Sequence, residues 1–190
     1  MTNLKPYLDG LTWQDVLYRG KIVFKTCWLV ADLCLCSYNY GKQSIPCSPF
    51  DDIMTQLTNK IEELSGHIQG YFNSCNINAY SDPTSCVDWH SDNEALFRES
   101  EWKRDVSIVS LSLGGTRIMM FRQKLGEAKQ QITHNDGDLA FMGGRLQDTF
   151  YHRVPPYDAA SCGEFAPRAN LTWRSVRRHS KGCPLKTAAI

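Results

Sequence analysis

RANLTWR, Arg168 to Arg174, alternates long polar side chains with small or apolar ones, and a period of two is the pattern of a β-strand. On a strand Arg168, Asn170, Thr172 and Arg174 share one face. Alone, the segment reads as an amphipathic strand with its polar side in water. Upstream, YFNSCNINAY, DVSIVSLSL, RIMMFRQK, QQITH, DLAFMGG and TFYHRVPPY are equally short, rich in β-branched or aromatic residues, and separated by turn-formers. NDG, at Asn135 to Gly137, is the clearest hairpin signal among the separators.

The N-terminal part differs. LTWQDVLYRGKIVFKTCWLV, Leu11 to Val30, reads as a short helix leading into an apolar segment, with a break near Gly41. A stronger helix follows: Ser48 suits the N-cap, Pro49 the first helical position, Asp51 and Asp52 the positive helix end, and Gly66 the stop. Ile53, Leu57, Ile61 and Leu64 form its expected apolar stripe. Antiparallel strands behind one long helix predict a mainly β chain, a β-sandwich or jelly roll with helices buttressing one face.

The chain has 190 residues, 42% of them hydrophobic and 22% charged, which suits a single domain with a sizeable core. Its expected divisions are residues 1–75 (helices, strands and a substrate lid), a jelly-roll core over 76–178 and a basic tail over 179–190. A formal charge of +1 announces neither nucleic acid nor membrane, although Arg168, Arg174, Arg177, Arg178, Lys181 and Lys186 make the end locally basic. No apolar run reaches the roughly 18 residues of a membrane span, and MTNLKPYLDG lacks signal-peptide character, so the expectation is an intracellular monomer, in cytoplasm or nucleus, without a membrane partner. The eight cysteines contain no CxxC pair, and they read as reduced apolar fillers rather than as a disulfide framework or zinc knuckle.

Chemistry concentrates in VDWHSDNEALF, Val87 to Phe97. In an extended segment His90 and Asp92 project from one face and offer an imidazole nitrogen and a carboxylate oxygen to one point. A third ligand must come from His67, His134, His152 or His179. His67 follows the helix stop, His134 adjoins the NDG tip and His179 lies in the tail, places where exposed histidines are ordinary. His152, at the end of a strand closed by two prolines, is the best placed. Two histidines and a carboxylate leave open positions on an octahedral ion, the arrangement of non-haem iron(II) oxygenases; zinc could occupy it too. Such an iron site needs a reducing co-substrate, and the carboxylates of 2-oxoglutarate would suit the guanidinium forks of Arg168 and Arg174.

NINAYSDPTSCVDWHSDNE, then MGGRLQDTFYHRVPP, then RANLTWR strongly resembles the AlkB family of iron(II)- and 2-oxoglutarate-dependent dioxygenases, whose Asn-x-Tyr, His-x-Asp, distal His and Arg-x-Asn-x-Thr-x-Arg anchors are all met. The resemblance runs from about Tyr40 to Val176, with a weaker match at YGKQSIPCSP. It implies a double-stranded β-helix in which His90, Asp92 and His152 bind Fe(II), while Asn78, Tyr80, Arg168, Asn170, Thr172 and Arg174 hold 2-oxoglutarate, with the two arginines on its opposite carboxylates. It further implies that O2 and 2-oxoglutarate are consumed, that succinate and CO2 form, and that hydroxylation of an N-methyl group releases formaldehyde from methylated DNA or RNA. Glu94 matches an acidic position that points toward the base. Tyr38 and Tyr40 occupy the place of an aromatic lid, and Trp89 is expected to pack beneath the site. The N-terminal portion is brief, so the lid is small and single-stranded substrates are favoured over duplex; the basic tail could contact phosphates. Two other readings keep the same residues: an oxygenase acting on a protein side chain, and an inactive binding module of the same fold.

Overall fold

The structure, a computed structural model, describes residues 4–31, 33–98 and 106–188. A one-turn helix α1 (Lys5–Asp9) leads into strands β1 (Gln14–Tyr18) and β2 (Lys21–Val30), followed by the small pair β3 (Tyr38–Tyr40) and β4 (Gln43–Ile45), then β5 (Cys47–Pro49) and helix α2 (Asp52–Ser65). The remainder is β6 (Ser74–Tyr80), β7 (Val87–His90), β8 (Ile108–Gly114), β9 (Arg117–Gln123), β10 (Lys129–His134), β11 (Leu139–Met142), α3 (Leu146–Thr149), β12 (Phe150–Val154), α4 (Ala159–Cys162) and β13 (Arg168–Arg174).

One sheet runs β1-β2-β6-β13-β8-β11, with β5 added alongside β2; a second runs β10-β9-β12-β7. This is the expected jelly roll. At the centre of the larger sheet β13 pairs antiparallel with both neighbours, Leu171 lying opposite Ile77 of β6 and Leu111 of β8. Its alternation serves two buried faces instead of one. Ala169, Leu171 and Trp173 join Met54 and Ile61 of α2 in the core outside the sheet, and Trp173 Nε1–H donates to Thr58 Oγ1 of α2 at 2.9 Å. Arg168, Asn170, Thr172 and Arg174 face the space between the sheets. Their polar face is therefore internal, not solvated.

Several local expectations are corrected. Leu11 to Val30 is not a helix and an apolar segment: β1 and β2 form a hairpin whose turn has positive φ at both Arg19 (51°) and Gly20 (77°). Gly41 is no break but the turn between β3 and β4, at φ 56°. Helix α2 starts three residues later than expected, because Cys47–Pro49 pairs with β2; its N-cap is Asp51, whose carboxylate accepts from Met54 N at 2.8 Å. The stop at Gly66 is met, in the left-handed conformation at φ 70°. The stripe is met at its middle, where Ile61 is buried and Leu57 packs on the core, but Ile53 and Leu64 are 47% and 54% exposed, and Met54, Thr58 and Glu62 complete the buried face. Glu62 is inside because its carboxylate accepts from Gly70 N (3.0 Å) and Phe72 N (2.8 Å) and fixes the chain after the helix.

NDG does form a tight turn, with Asp138 N bonded to Asn135 O, but it joins no hairpin: β10 pairs with β9 and β11 with β8, so the turn carries the chain from one sheet to the other. His134 beside it is buried, not exposed. Trp89 does not pack beneath the site. It lies on the outer face of the second sheet, between the guanidinium groups of Arg122 and Arg153, 4.7 and 4.8 Å from its ring. All eight cysteines are free thiols; Cys27 and Cys75 are core fillers as expected, but Cys34, Cys36 and Cys183 converge on His179.

Candidate functional site

Pairing of β7 with β12 sets His90 opposite His152, and their rings lie 4.2 Å apart. Beyond β7 the chain turns tightly at Asp92, with Asn93 N bonded to Ser91 O, and the backbone N–H of Asp92 donates to Gln147 Oε1 at 2.9 Å. This fixes the Asp92 side chain between the histidines and Arg174. Its Oδ2 accepts from Arg174 Nη2 (2.5 Å) and Nε (3.2 Å). The other oxygen, Oδ1, stands 3.5 Å from His90 Nε2 and 3.9 Å from His152 Nε2, buried and without a hydrogen bond.

Protonation completes the description. His90 Nδ1 lies 2.8 Å from the Asp88 carbonyl oxygen, to which it donates, and Nε2 faces Asp92; burial works against the charged ring, yet Asp92 and the Asp88 carbonyl raise its pKa, so a metal at Nε2 takes the place of a proton. Burial, joined by the neighbouring His90, lowers the pKa of His152 to about 3 and keeps that imidazole neutral. Burial would raise the Asp92 carboxyl, yet the Arg174 guanidinium and the two imidazoles hold it well below the usual carboxylate range. Two imidazole nitrogens and one carboxylate oxygen, all within 4.8 Å of one another, thus converge on one point. A divalent cation is the partner that such a set lacks, and the residues present fit an octahedral ion with open positions.

These groups stand at one side of a cleft that Tyr40, Asn78, Tyr80, Arg168, Asn170, Thr172 and Arg174 also line. The sequence motif is thereby gathered from both sheets. Arg168, 4% exposed, donates through Nε to Ser112 Oγ (2.7 Å) and through Nη2 to Asn170 Oδ1 (2.8 Å), and its guanidinium carbon sits 5.3 Å from the Tyr80 ring centre. Its Nη1 is buried and unpaired. Asn170 Nδ2 donates to Thr172 Oγ1 at 2.7 Å. Asn78 Oδ1 lies within bonding reach of Thr26 Oγ1 (2.8 Å) and Asn76 Nδ2 (3.0 Å), and Tyr40 Oη within 3.0 Å of Asn76 Nδ2.

Glu94 and Tyr38 do not line the cleft. The Tyr38 hydroxyl donates to Glu94 Oε1 at 2.7 Å, the tyrosine is 3% exposed and its ring stacks on Trp28 at 5.1 Å. Burial and the charge of Asp92 raise the pKa of Glu94.

The comparisons agree with this geometry. Residues 17–174 match the profile of the 2OG-Fe(II) oxygenase superfamily. The chain belongs to that superfamily. Among similar proteins, the human alpha-ketoglutarate-dependent dioxygenase alkB homolog 3 is 33% identical over 158 residues, covering 77% of this chain and 51% of its own length. The bovine DNA oxidative demethylase ALKBH2 is 25% identical over 163 residues, covering 80% and 54%. The chain thus spans about half the length of the curated relatives it matches. The solved structure of OsALKBH1 superimposes with a TM-score of 0.59 at 16% identity, covering 86% of this chain and 83% of that one. The AlkB resemblance of the sequence is met by relatives of that name, and membership brings iron(II), 2-oxoglutarate and dioxygen as the cofactors of the superfamily.

Sequence reasoning passed over the residues that hold the site in place. Gln147, 1% exposed in α3, anchors Asp92, while Thr26, Asn76 and Ser112 orient Asn78 and Arg168. Polar residues inside predicted strands were the available signal for Asn76 and Ser112; Thr26, in a segment read as apolar, and Gln147 carried none.

Proposed function

We propose that this chain is an iron(II)- and 2-oxoglutarate-dependent dioxygenase that removes N-methyl groups from bases in single-stranded DNA or RNA. The observation that carries the reading is the unpaired Asp92 Oδ1, facing Nε2 of both His90 and His152 in a cleft that also holds the buried cations Arg168 and Arg174. In this reading His90, Asp92 and His152 hold the iron. When bound, iron with 2-oxoglutarate and dioxygen supplies an oxidant that hydroxylates the methyl carbon, and the hydroxymethyl group then leaves as formaldehyde.

The rest falls to the chain's own residues. Arg168 meets one carboxylate of 2-oxoglutarate with its free Nη1, and Ser112, Asn170 and the Tyr80 ring hold the guanidinium in position for it. Arg174 meets the other end with Nη1, its remaining nitrogens being spent on Asp92. Thr172 orients Asn170, and Asn78 and Tyr80 close the cleft beside them. Tyr40, through its hydroxyl at Asn76 and Asn78, belongs with the co-substrate side more than with a base-stacking lid. Glu94 acts on the substrate base only after its bond to Tyr38 opens.

A nucleic-acid substrate is supported by the similarity to the DNA oxidative demethylase ALKBH2 and by the outer face of the second sheet. There Arg122, Arg153 and Lys124 alternate with the rings of Trp89 and Tyr151, cations for phosphates beside faces for bases.

The test is incubation with iron(II), ascorbate, 2-oxoglutarate and a panel of N-methylated DNA and RNA oligonucleotides and methylated peptides, reading succinate and formaldehyde. Methyl loss from oligonucleotides, abolished by His90→Ala and Arg174→Ala, is the expected result. Succinate formation indifferent to His90→Ala would overturn the iron assignment; turnover stimulated by peptides alone would move the substrate to protein.

A further inference from the structure

Outside the cleft, a second group of metal-ligating side chains lies where the connection from β2 to β3 meets the segment after β13. Cys34, Cys36 and Cys183 are buried, and their sulfurs stand 3.6, 3.6 and 3.4 Å from one atom, Nδ1 of His179. All four ligand atoms lie within 4.8 Å of one another. Hydrogen bonding does not account for this. An imidazole nitrogen either donates one proton or accepts one, whereas three sulfurs converge on it.

Coordination does account for it. A tetrahedral zinc ion with Zn–S of about 2.3 Å and Zn–N of about 2.0 Å separates sulfur from nitrogen by about 3.5 Å, the spacing found. The surroundings suit thiolates: Leu35 N–H points at Cys183 Sγ (3.4 Å), Ser180 N–H at Cys36 Sγ (3.3 Å), and the Ser180 hydroxyl lies 3.5 Å from the same sulfur. Soft thiolates select zinc over the harder iron(II), which prefers the imidazole and carboxylate set of the cleft.

We infer that Cys34, Cys36, His179 and Cys183 bind one zinc ion in a closed, four-coordinate structural site. The inference is independent of the catalytic reading, since no residue is shared. Its spacing, C-x-C with H-x-x-x-C, lacks the CxxC by which such sites are usually sought. The ion clips together segments more than a hundred residues apart, so it removes a large loop entropy from the unfolded chain. It also fixes what adjoins it: Tyr38, partner of Glu94, follows Cys36 by two residues, and Arg174 precedes His179 by five.

The full chain, purified without a polyhistidine tag and loaded with zinc, is assayed for metal by mass spectrometry. One tightly held zinc per chain is expected, and it is retained by a His90→Ala/His152→Ala variant that disables the cleft. Cobalt(II) in that variant is expected to give the charge-transfer absorption of a tetrahedral thiolate site. Because Cys36→Ser or His179→Ala could unfold the chain, the unaltered protein is also titrated with an organomercurial, and one zinc is expected to appear on a metallochromic dye as the thiols react. Folded protein with at least tenfold less than one zinc per chain overturns the inference. So does zinc that vanishes in the cleft variant, or cobalt absorption without thiolate character.

Discussion

Arg174 and Asp92 divide one carboxylate between two tasks. The guanidinium takes Oδ2 at 2.5 Å and leaves Oδ1 bare toward the imidazoles, so a residue of the RANLTWR motif sets which oxygen a metal can use. Both side chains are buried, so Arg174→Met strands a carboxylate without its partner. It is expected to cost about 3–5 kcal/mol of stability without metal, measured by denaturant unfolding, with less of a loss when iron(II) or manganese(II) is present.

Gln147 holds the same aspartate by its backbone. Gln147→Ala touches neither metal nor co-substrate and is expected to weaken metal affinity roughly 10- to 100-fold, read by fluorescence titration with manganese(II). Affinity equal to that of the unaltered protein would show that α3 does not position Asp92.

Arg168 offers a desolvated, pre-oriented donor. Arg168→Met is expected to raise the KM for 2-oxoglutarate by about 10- to 100-fold, the worth of a charged hydrogen bond, with little change in the affinity for metal. Loss of metal binding in equal measure would mean that Arg168 supports the fold, not the co-substrate.

The cations on the outer face make a prediction about salt. If Arg122 and Arg153 meet phosphates, Arg122→Ala and Arg153→Ala each make the fall of log affinity with log salt shallower by roughly 0.7 for a single-stranded oligonucleotide. An unchanged slope in both would remove this face from the interface.

His134 supplies a pH dependence remote from the metal ligands. Burial and the charge of Arg168 lower its pKa, with Asp138 opposing. The unfolded chain accepts this proton near pH 6.5, the folded chain only at lower pH; between the two values the unfolded state binds more protons. Stability is therefore expected to decline as pH falls below about 6.5, and His134→Gln to flatten that decline in denaturant melts.

What the sequence disclosed followed physical lines. Strands β6, β8, β9, β12 and β13 were legible because period-two alternation and β-branched residues report burial directly, and the site was legible because its chemistry needs few residue types at fixed offsets. The β1–β2 hairpin was not, since its turn places Arg19, not asparagine or glycine, in the left-handed region. The stripe of α2 was read correctly at Leu57 and Ile61 but not at its ends, where Glu62, buried with its carboxylate on two backbone N–H groups, lies inside while Leu64 is exposed. NDG announced a turn correctly, but no local signal tells a turn between paired strands from one between sheets. His179 and Cys183 looked like tail residues because their partners lie at the other end of the chain.

Strand β13 has no outward side: alternate residues belong to the packing against α2 and to the cleft, and every one of its seven positions is committed. Such a segment has nowhere for neutral drift. Diversification of what this protein accepts is thereby pushed to the rim, above all to the β3–β4 hairpin, whose turn at Gly41 lies in open space and can lengthen without disturbing the chemistry beneath.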